Sequence, residues 1–243
     1  MLKILFSPSE GKNIGGDAAT CDIFGSNDAR KNILQTYNEI VNSNNEEKIK
    51  TLFGIKNFQE CKPYIVDIFN TPLMSAIERY DGVAYDYLSF NTLNTQEQQH
   101  IYENTIIFSN LFGPLLAKDP IPIYKVKQGN SIGDIAPDKF YKERFSYQLD
   151  LYLADKEILD LRAGYYDKFY KPNKPFTTLK FLKNGKSVSH WAKAYRGRVL
   201  REIAKNNISS LKALQKLEIE NLAIKEIKII KNKTEIVYNI LEN

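Results

Sequence analysis

Histidine and cysteine are scarce in this chain, with two of each among 243 residues. His100 and His190 fall in different segments, so no Ser-His-Asp or Cys-His set and no metal cluster assembles around them. Cys21 and Cys61 lie far apart in sequence. Two cysteines make neither a disulfide framework nor a zinc site, which fits a reducing cytoplasm. Long apolar runs are missing as well: nothing approaches the ~20 residues needed to cross a bilayer. At the start, the apolar Leu2, Ile4, Leu5 and Phe6 give way to polar residues at Ser7, too early for a signal-peptide core. Also lacking are an internal repeat and a linker rich in Pro, Gly or Ser. A single cytoplasmic domain over residues 1–243 is expected, with no cofactor, metal or membrane partner. An enzyme of this composition would have to work through Lys, Arg, Glu, Asp or Tyr.

What the chain does have is an uneven distribution of positive charge. The net charge is +5. Residues 180–205 alone hold Lys180, Lys183, Lys186, Lys193, Arg196, Arg198, Arg201 and Lys205 against one acid, Glu202. Such a patch attracts polyanions through counterion release, although basic patches also occur on proteins that bind none. Within it, Ser189–Lys205 reads as an amphipathic helix. At 100° per residue, Ala192, Tyr195, Val199, Leu200 and Ile203 form one apolar stripe. Arg198, Arg201 and Lys205 point away from the stripe, but Arg196 projects into it, with Lys193 at its edge and Gly197 beside it. A buried guanidinium is costly unless it meets an anion. Arg196 therefore has either a buried carboxylate partner or a place in an anion-binding cleft.

The rest of the chain alternates strands and helices. Leu2–Phe6 predicts a strand, followed by a turn-rich Ser7-Pro8-Ser9-Glu10-Gly11-Lys12 loop. Helical spacing covers Asp28–Asn42 and Glu46–Phe53, and a further helix is expected from near Asn57 after Gly54. Pro72 should start another helix, and Tyr80–Tyr85 reads as a strand with an early turn. Helices at Thr95–Thr105 and Lys142–Ala154 and strands at Ile106–Ser109, Ile121–Lys127 and Glu157–Leu161 follow. Asn184-Gly185 predicts a hairpin between Phe176–Leu182 and Ser187–Trp191. After the basic helix come a short helix at Ser209–Gln215, capped by Ser209 or Ser210, and a hairpin of Ile224–Ile230 and Thr234–Ile240. This pattern predicts an α+β fold with a mixed sheet surrounded by helices.

Three short segments could carry chemistry. Lys48–Lys56, turning at Gly54, resembles a helix-hairpin-helix turn, where backbone N–H groups hold a DNA phosphate without reading sequence. Its one glycine also suits an ordinary helix C-cap. Ser7–Lys12 lacks the spacing of a nucleotide P-loop, but Glu10 and Lys12 remain candidates. In Arg162–Pro172, aromatic rings alternate with Lys168 and Lys171, a combination suited to nucleic-acid stacking and equally to packing.

Taken in order, these segments resemble the YaaA family of bacterial peroxide-stress proteins. The resemblance spans the SPSEGK loop at 7–12, the Leu52–Lys56 turn, Gly82–Tyr85, Leu111–Leu115, Ile123–Gly129, Tyr165–Pro172 and the Lys193-x-x-Arg196-Gly197 helix. It implies a cytoplasmic protein with a mixed α/β fold and a positively charged cleft. It further implies duplex DNA binding through a helix-hairpin-helix and a role in limiting iron-driven damage under peroxide. By position it puts Gly54 and Lys56 in the hairpin, and Lys12, Lys193 and Arg196 in basic motifs. The family's Leu-Tyr-Gly is Leu111-Phe112-Gly113 here, its Pro-Tyr-Arg-Leu is Ile123-Tyr124-Lys125-Val126, and its Asn-Leu-Ala-Ser is Asp160-Leu161-Arg162-Ala163.

Two functional readings follow. In the first, the protein binds duplex DNA without sequence specificity through Gly54, Lys56, Lys168, Lys171, Arg198 and Arg201, and any effect on iron is indirect. In the second, it is an enzyme for a small phosphorylated or nucleotide-like ligand. Lys12, Lys193 and Arg196 then grip the anion, and Glu10, Lys12 and Arg196 are the catalytic candidates. A plainer alternative is a packing or partner-binding protein whose cations only solubilise it.

Overall fold

A computed structural model describes residues 1–17 and 27–241, without the side chains of residues 27, 28, 189 and 190. Cys21 and the side chain of His190 lie outside the described part.

The chain opens with β1 (Leu2–Phe6), all five of whose residues are buried, as a central parallel strand requires. The following loop returns as β2 (Gly11–Lys12). Helices α1 (Asn27–Val41) and α2 (Glu46–Phe53) follow, the second capped by Asn45, whose side chain accepts from Lys48 N. Residues Phe58–Tyr64 then form a 3₁₀ helix. Where Pro72 was expected to start a helix, the chain instead makes β3 (Leu73–Ser75) before a one-turn α3 (Ala76–Arg79). Tyr80–Tyr85 is not one strand: β4 is Tyr80–Asp81 alone, and α4 (Val83–Leu88) begins directly after Gly82. Helix α5 (Thr95–Asn104) starts in a capping box between Asn94 and Glu97.

Next come β5 (Thr105–Ser109), β6 (Gly113–Leu116) and β7 (Pro120–Pro122). The strand expected over Ile121–Lys127 stops at Pro122. Helix α6 (Pro137–Leu153) starts five residues before the expected Lys142, with Pro137 in its first turn, where proline lacks no needed donor. After β8 (Glu157–Asp160) and β9 (Phe176–Lys183), Asn184 and Gly185 both take positive φ, as the expected hairpin turn demands. The returning strand β10 is only Lys186–Ser187, because α7 (Ser189–Lys205) begins at once. Ser210, not Ser209, caps α8 (Leu211–Leu214), and β11 (Leu222–Ile230) and β12 (Lys233–Ile240) close the chain.

One sheet collects most of these strands in the order β11-β12-β9-β8-β1-β5-β6, with β10 alongside β9. It is mixed, as expected, but its middle is parallel: β5, β1, β8, β9 and β12 all run the same way. The antiparallel partners β6 and β11 lie at its two ends. The fold is therefore mixed α/β with a mostly parallel centre, rather than α+β. Helices cover the central strands, and Ile4, Leu5, Ile106, Ile107, Ile158 and Leu159 are fully buried between them.

Candidate functional site

From β1 the chain crosses to a parallel neighbour on each side, β5 and β8. Such a switch point opens a crevice at the carboxyl ends of the strands. A cleft of about 410 Å³ lies there, walled by the Ser7–Glu10 loop, the start of α4, Leu161, Ala163, Tyr166 and Gln128, and by Lys193 and Arg196 of α7.

The position of α7 follows from Gly197. A Cβ on this residue would lie 1.8 Å from the carbonyl oxygen of Ala84, so only glycine lets α7 settle against α4. The helix buries Tyr195, Val199, Leu200 and Ile203, as its apolar stripe predicts. That seating turns Lys193 and Arg196 into the cleft.

Arg196 is half-buried, and burial pushes its guanidinium below the usual arginine range while the charge of Asp160 pulls the other way. Asp160 is nevertheless not its partner. Its Oδ1 accepts from Arg162 Nε at 2.9 Å and its Oδ2 from Arg162 Nη2 at 2.7 Å. Among the described residues, neither Arg196 nor Lys193 has a hydrogen-bond or ion-pair partner. The arrangement is thus two uncommitted cations at a crevice, one of them partly desolvated, where an anion is held most strongly.

The opposite wall is pinned from several sides. Ser7 Oγ accepts from the backbone N–H of Ala163 at 2.8 Å, and the Tyr85 hydroxyl donates to Ser7 O at 2.9 Å. Glu10 Oε1 accepts from Gln128 N at 3.2 Å. Lys12 points inward and does not line the cleft. Its Nζ lies 4.1 Å from the ring centre of Tyr124 and 5.2 Å from that of Tyr80, and donates to Ser9 O at 3.2 Å. Burial, and then the charge of Lys125, push its amine down to about 7. Lys125 itself donates to Glu10 O at 3.2 Å and lies over Tyr64, so it braces the loop as a point charge.

Beneath Lys12 runs a directed hydroxyl chain. Ser109 Oγ accepts from Leu111 N and Phe112 N, so its proton goes to Tyr124, whose hydroxyl is 2.7 Å from that of Tyr80.

The remaining sequence candidates fall elsewhere. Gly54 takes the left-handed conformation and ends α2 in a Schellman cap: Gly54 N donates to Thr51 O and Ile55 N to Lys50 O. The next element is the 3₁₀ helix from Phe58, so no second α-helix completes a hairpin there. Lys56 is exposed next to this turn. Lys168 and Lys171 are exposed, Lys168 lying over the Tyr165 ring at 5.1 Å. Arg198 pairs with Glu220. Arg201 is half-buried and donates to Leu88 O, Ser89 O and Thr92 Oγ1, so it ties α7 to the end of α4.

Of the sequence candidates, the cleft brings together Glu10, Lys193 and Arg196, with Lys12 behind its wall. Ser7, Tyr85, Tyr166 and Gln128 went unrecognised as site residues. All four sit inside segments already noted, but nothing in those segments singles them out. Among the described residues no three His, Cys, Asp or Glu side chains group as metal ligands, and no helix is long and apolar enough to cross a membrane.

Comparison with known proteins shows the family. The family described as "Peroxide stress protein YaaA" matches residues 2–228. An uncharacterized protein, Cj0984, from Campylobacter jejuni is 47% identical, over 99% of this chain and 100% of its own length. UPF0246 proteins from Malacoplasma penetrans (29% identical, 85% of this chain and 88% of theirs) and Corynebacterium efficiens (30%, 84% and 85%) are also similar. The chain therefore belongs to the YaaA peroxide-stress family, whose relatives include the UPF0246 proteins.

Proposed function

We propose that this peroxide-stress family member binds a small phosphorylated ligand in the cleft at the ends of β1 and β8. The observation that carries the reading is Arg196: half-buried, turned into a crevice, and without a partner among the described residues. A structural arginine would resemble Arg162, whose guanidinium meets a carboxylate and two carbonyls. The test is calorimetric titration of the purified chain with inorganic phosphate and nucleoside monophosphates at low ionic strength. Binding that is lost in Arg196→Ala supports the proposal; no binding to any phosphate sinks it.

Binding of duplex DNA is a second reading, supported by a separate surface. Gly54 packs directly on the side chain of Lys127, and two residues further along the same loop Gly129 approaches Tyr165, over which Lys168 lies. Lys56, Lys127 and Lys168 thus surround one loop as exposed cations. Backbone contacts of this kind give a log K that falls by about 0.9 per phosphate per log unit of salt. Duplex titration at two salt concentrations, with Lys56 and Lys168 neutralised together, decides it: a slope unchanged by the double substitution removes these lysines from any DNA surface.

A further inference from the structure

Besides the two cations, the cleft is lined by an acceptor that is only half used. Glu10 gives Oε1 to Gln128 N, while its other carboxylate oxygen has no partner among the described residues. Ser7 stands on the same wall. Its Oγ accepts from Ala163 N, which leaves the hydroxyl proton available to a ligand. Ser9 is beside it, and the rings of Tyr85 and Tyr166 form apolar wall between the polar groups. A ligand filling this site must be anionic at one end and must donate hydrogen bonds at the other.

The surrounding charge decides which donor. Lys12 and Lys125 both donate to the backbone carbonyl of Glu10, so the free carboxylate oxygen belongs to a residue gripped by two amines. Lys193 and Arg196 are the two cations that line the cleft itself. An ammonium group drawn to Glu10 would also meet the repulsion of these cations, whereas a neutral hydroxyl donates to the carboxylate without it. Vicinal hydroxyls suit a carboxylate oxygen with two open lone-pair directions.

We propose that the ligand is a phosphorylated sugar, free or as the ribose phosphate of a nucleotide. Its phosphate lies on Lys193 and Arg196, and its hydroxyls are read by Glu10 and Ser7. This rests on the phosphate-binding reading above and adds to it the second end of the ligand.

The experiment is calorimetric titration of the full chain and of Glu10→Gln and Glu10→Ala with four probes. These are inorganic phosphate, ribose 5-phosphate, AMP and 2′,3′-dideoxy-AMP. Glu10 is exposed, and unchanged thermal unfolding of both variants checks that they fold. Ribose 5-phosphate should bind at least ~10-fold more tightly than inorganic phosphate, the order expected for a hydrogen bond to a charged group. Both substitutions should erase that advantage without weakening inorganic phosphate, since removing a carboxylate from the cleft cannot disfavour an anion. AMP binding that falls with Glu10 while dideoxy-AMP binding does not marks the ribose of a nucleotide as the recognised group. Equal effects of the substitutions on phosphate and ribose 5-phosphate, or none on either, overturn the proposal while leaving phosphate binding intact. Failure of every probe, inorganic phosphate included, overturns the phosphate site and the sugar reading together.

Discussion

Asp160 is close enough to Arg196 to pull on its charge, yet both its carboxylate oxygens are engaged by Arg162. The pair is almost fully buried, and Arg162 also donates to the carbonyls of Tyr166 and Tyr170. Asp167 Oδ1 lies 3.7 Å from Arg162 Nη2 but is exposed, so removing Asp160 leaves the buried guanidinium with only this weaker carboxylate. Asp160→Asn should therefore lower stability by about 3–5 kcal/mol, measured by urea unfolding. A loss below about 1 kcal/mol would mean that the carbonyls and Asp167 together satisfy Arg162.

The contact between α7 and α4 gives a prediction whose sign runs against helix propensity. Gly197→Ala should gain up to about 1 kcal/mol in an exposed helix. Here the added Cβ would fall 1.8 Å from a backbone oxygen, which cannot rotate away. Overpacking of this sort costs about 1–3 kcal/mol or more, so a net destabilisation is expected. The urea midpoint should fall, and phosphate binding should weaken with it as Lys193 and Arg196 shift. A variant as stable as the wild type would show that the two helices are not in contact at this point.

Lys12 makes stability depend on pH in a defined window. Its amine titrates near 7 in the fold and at the model-peptide value of 10.5 when unfolded. Between these values the unfolded chain binds one more proton than the native one, so stability rises with pH. The gain is at most about 1.4 kcal/mol per pH unit. At the alkaline end the trend reverses, because burial raises Tyr80, Tyr85 and Tyr124 and the unfolded tyrosines ionise first. Urea unfolding at intervals from pH 6.5 to about 9 should show the rise in the wild type and not in Lys12→Met. Identical slopes in the two proteins would mean that Lys12 keeps an ordinary amine.

The strands at the centre and the basic helix were legible because their signals are local. An apolar run broken only by Lys3 marks β1, and a 3.6-residue stripe marks α7 with Arg196 out of place. Asn184-Gly185 announces its turn by backbone conformation alone. What failed was set by partners distant in sequence. Tyr80–Tyr85 looked like a strand, but α4 forms there because it packs on α7, at Gly197. The inward turn of Lys12 could not be seen either, since its cage comes from Tyr80 and Tyr124, far along the chain. Asp160 and Arg162 were two separate departures from the family pattern until the structure joined them as one ion pair. Within the cleft, Arg196 was visible as misplaced charge, whereas Ser7 and Gln128 take their places through hydrogen bonds to Ala163 and Glu10, far off in sequence.

Arg196 offers the cleanest separation of function from stability. A guanidinium that is half-buried and unpaired is a net burden on the fold, since the charge of Asp160 offsets only part of its desolvation until an anion binds. Replacing it with Met keeps an unbranched aliphatic stem at the cleft wall and removes the charge. Arg196→Met should then be as stable as the wild type or up to about 1 kcal/mol more stable, while phosphate binding is lost. Lys193→Met, on an exposed position, should leave stability within about 0.5 kcal/mol and weaken binding less. Urea unfolding and calorimetry on the same samples measure both quantities. If Arg196→Met instead lost more than about 1 kcal/mol of stability, the arginine would be a structural element of the fold, and the anion site would have to lie elsewhere.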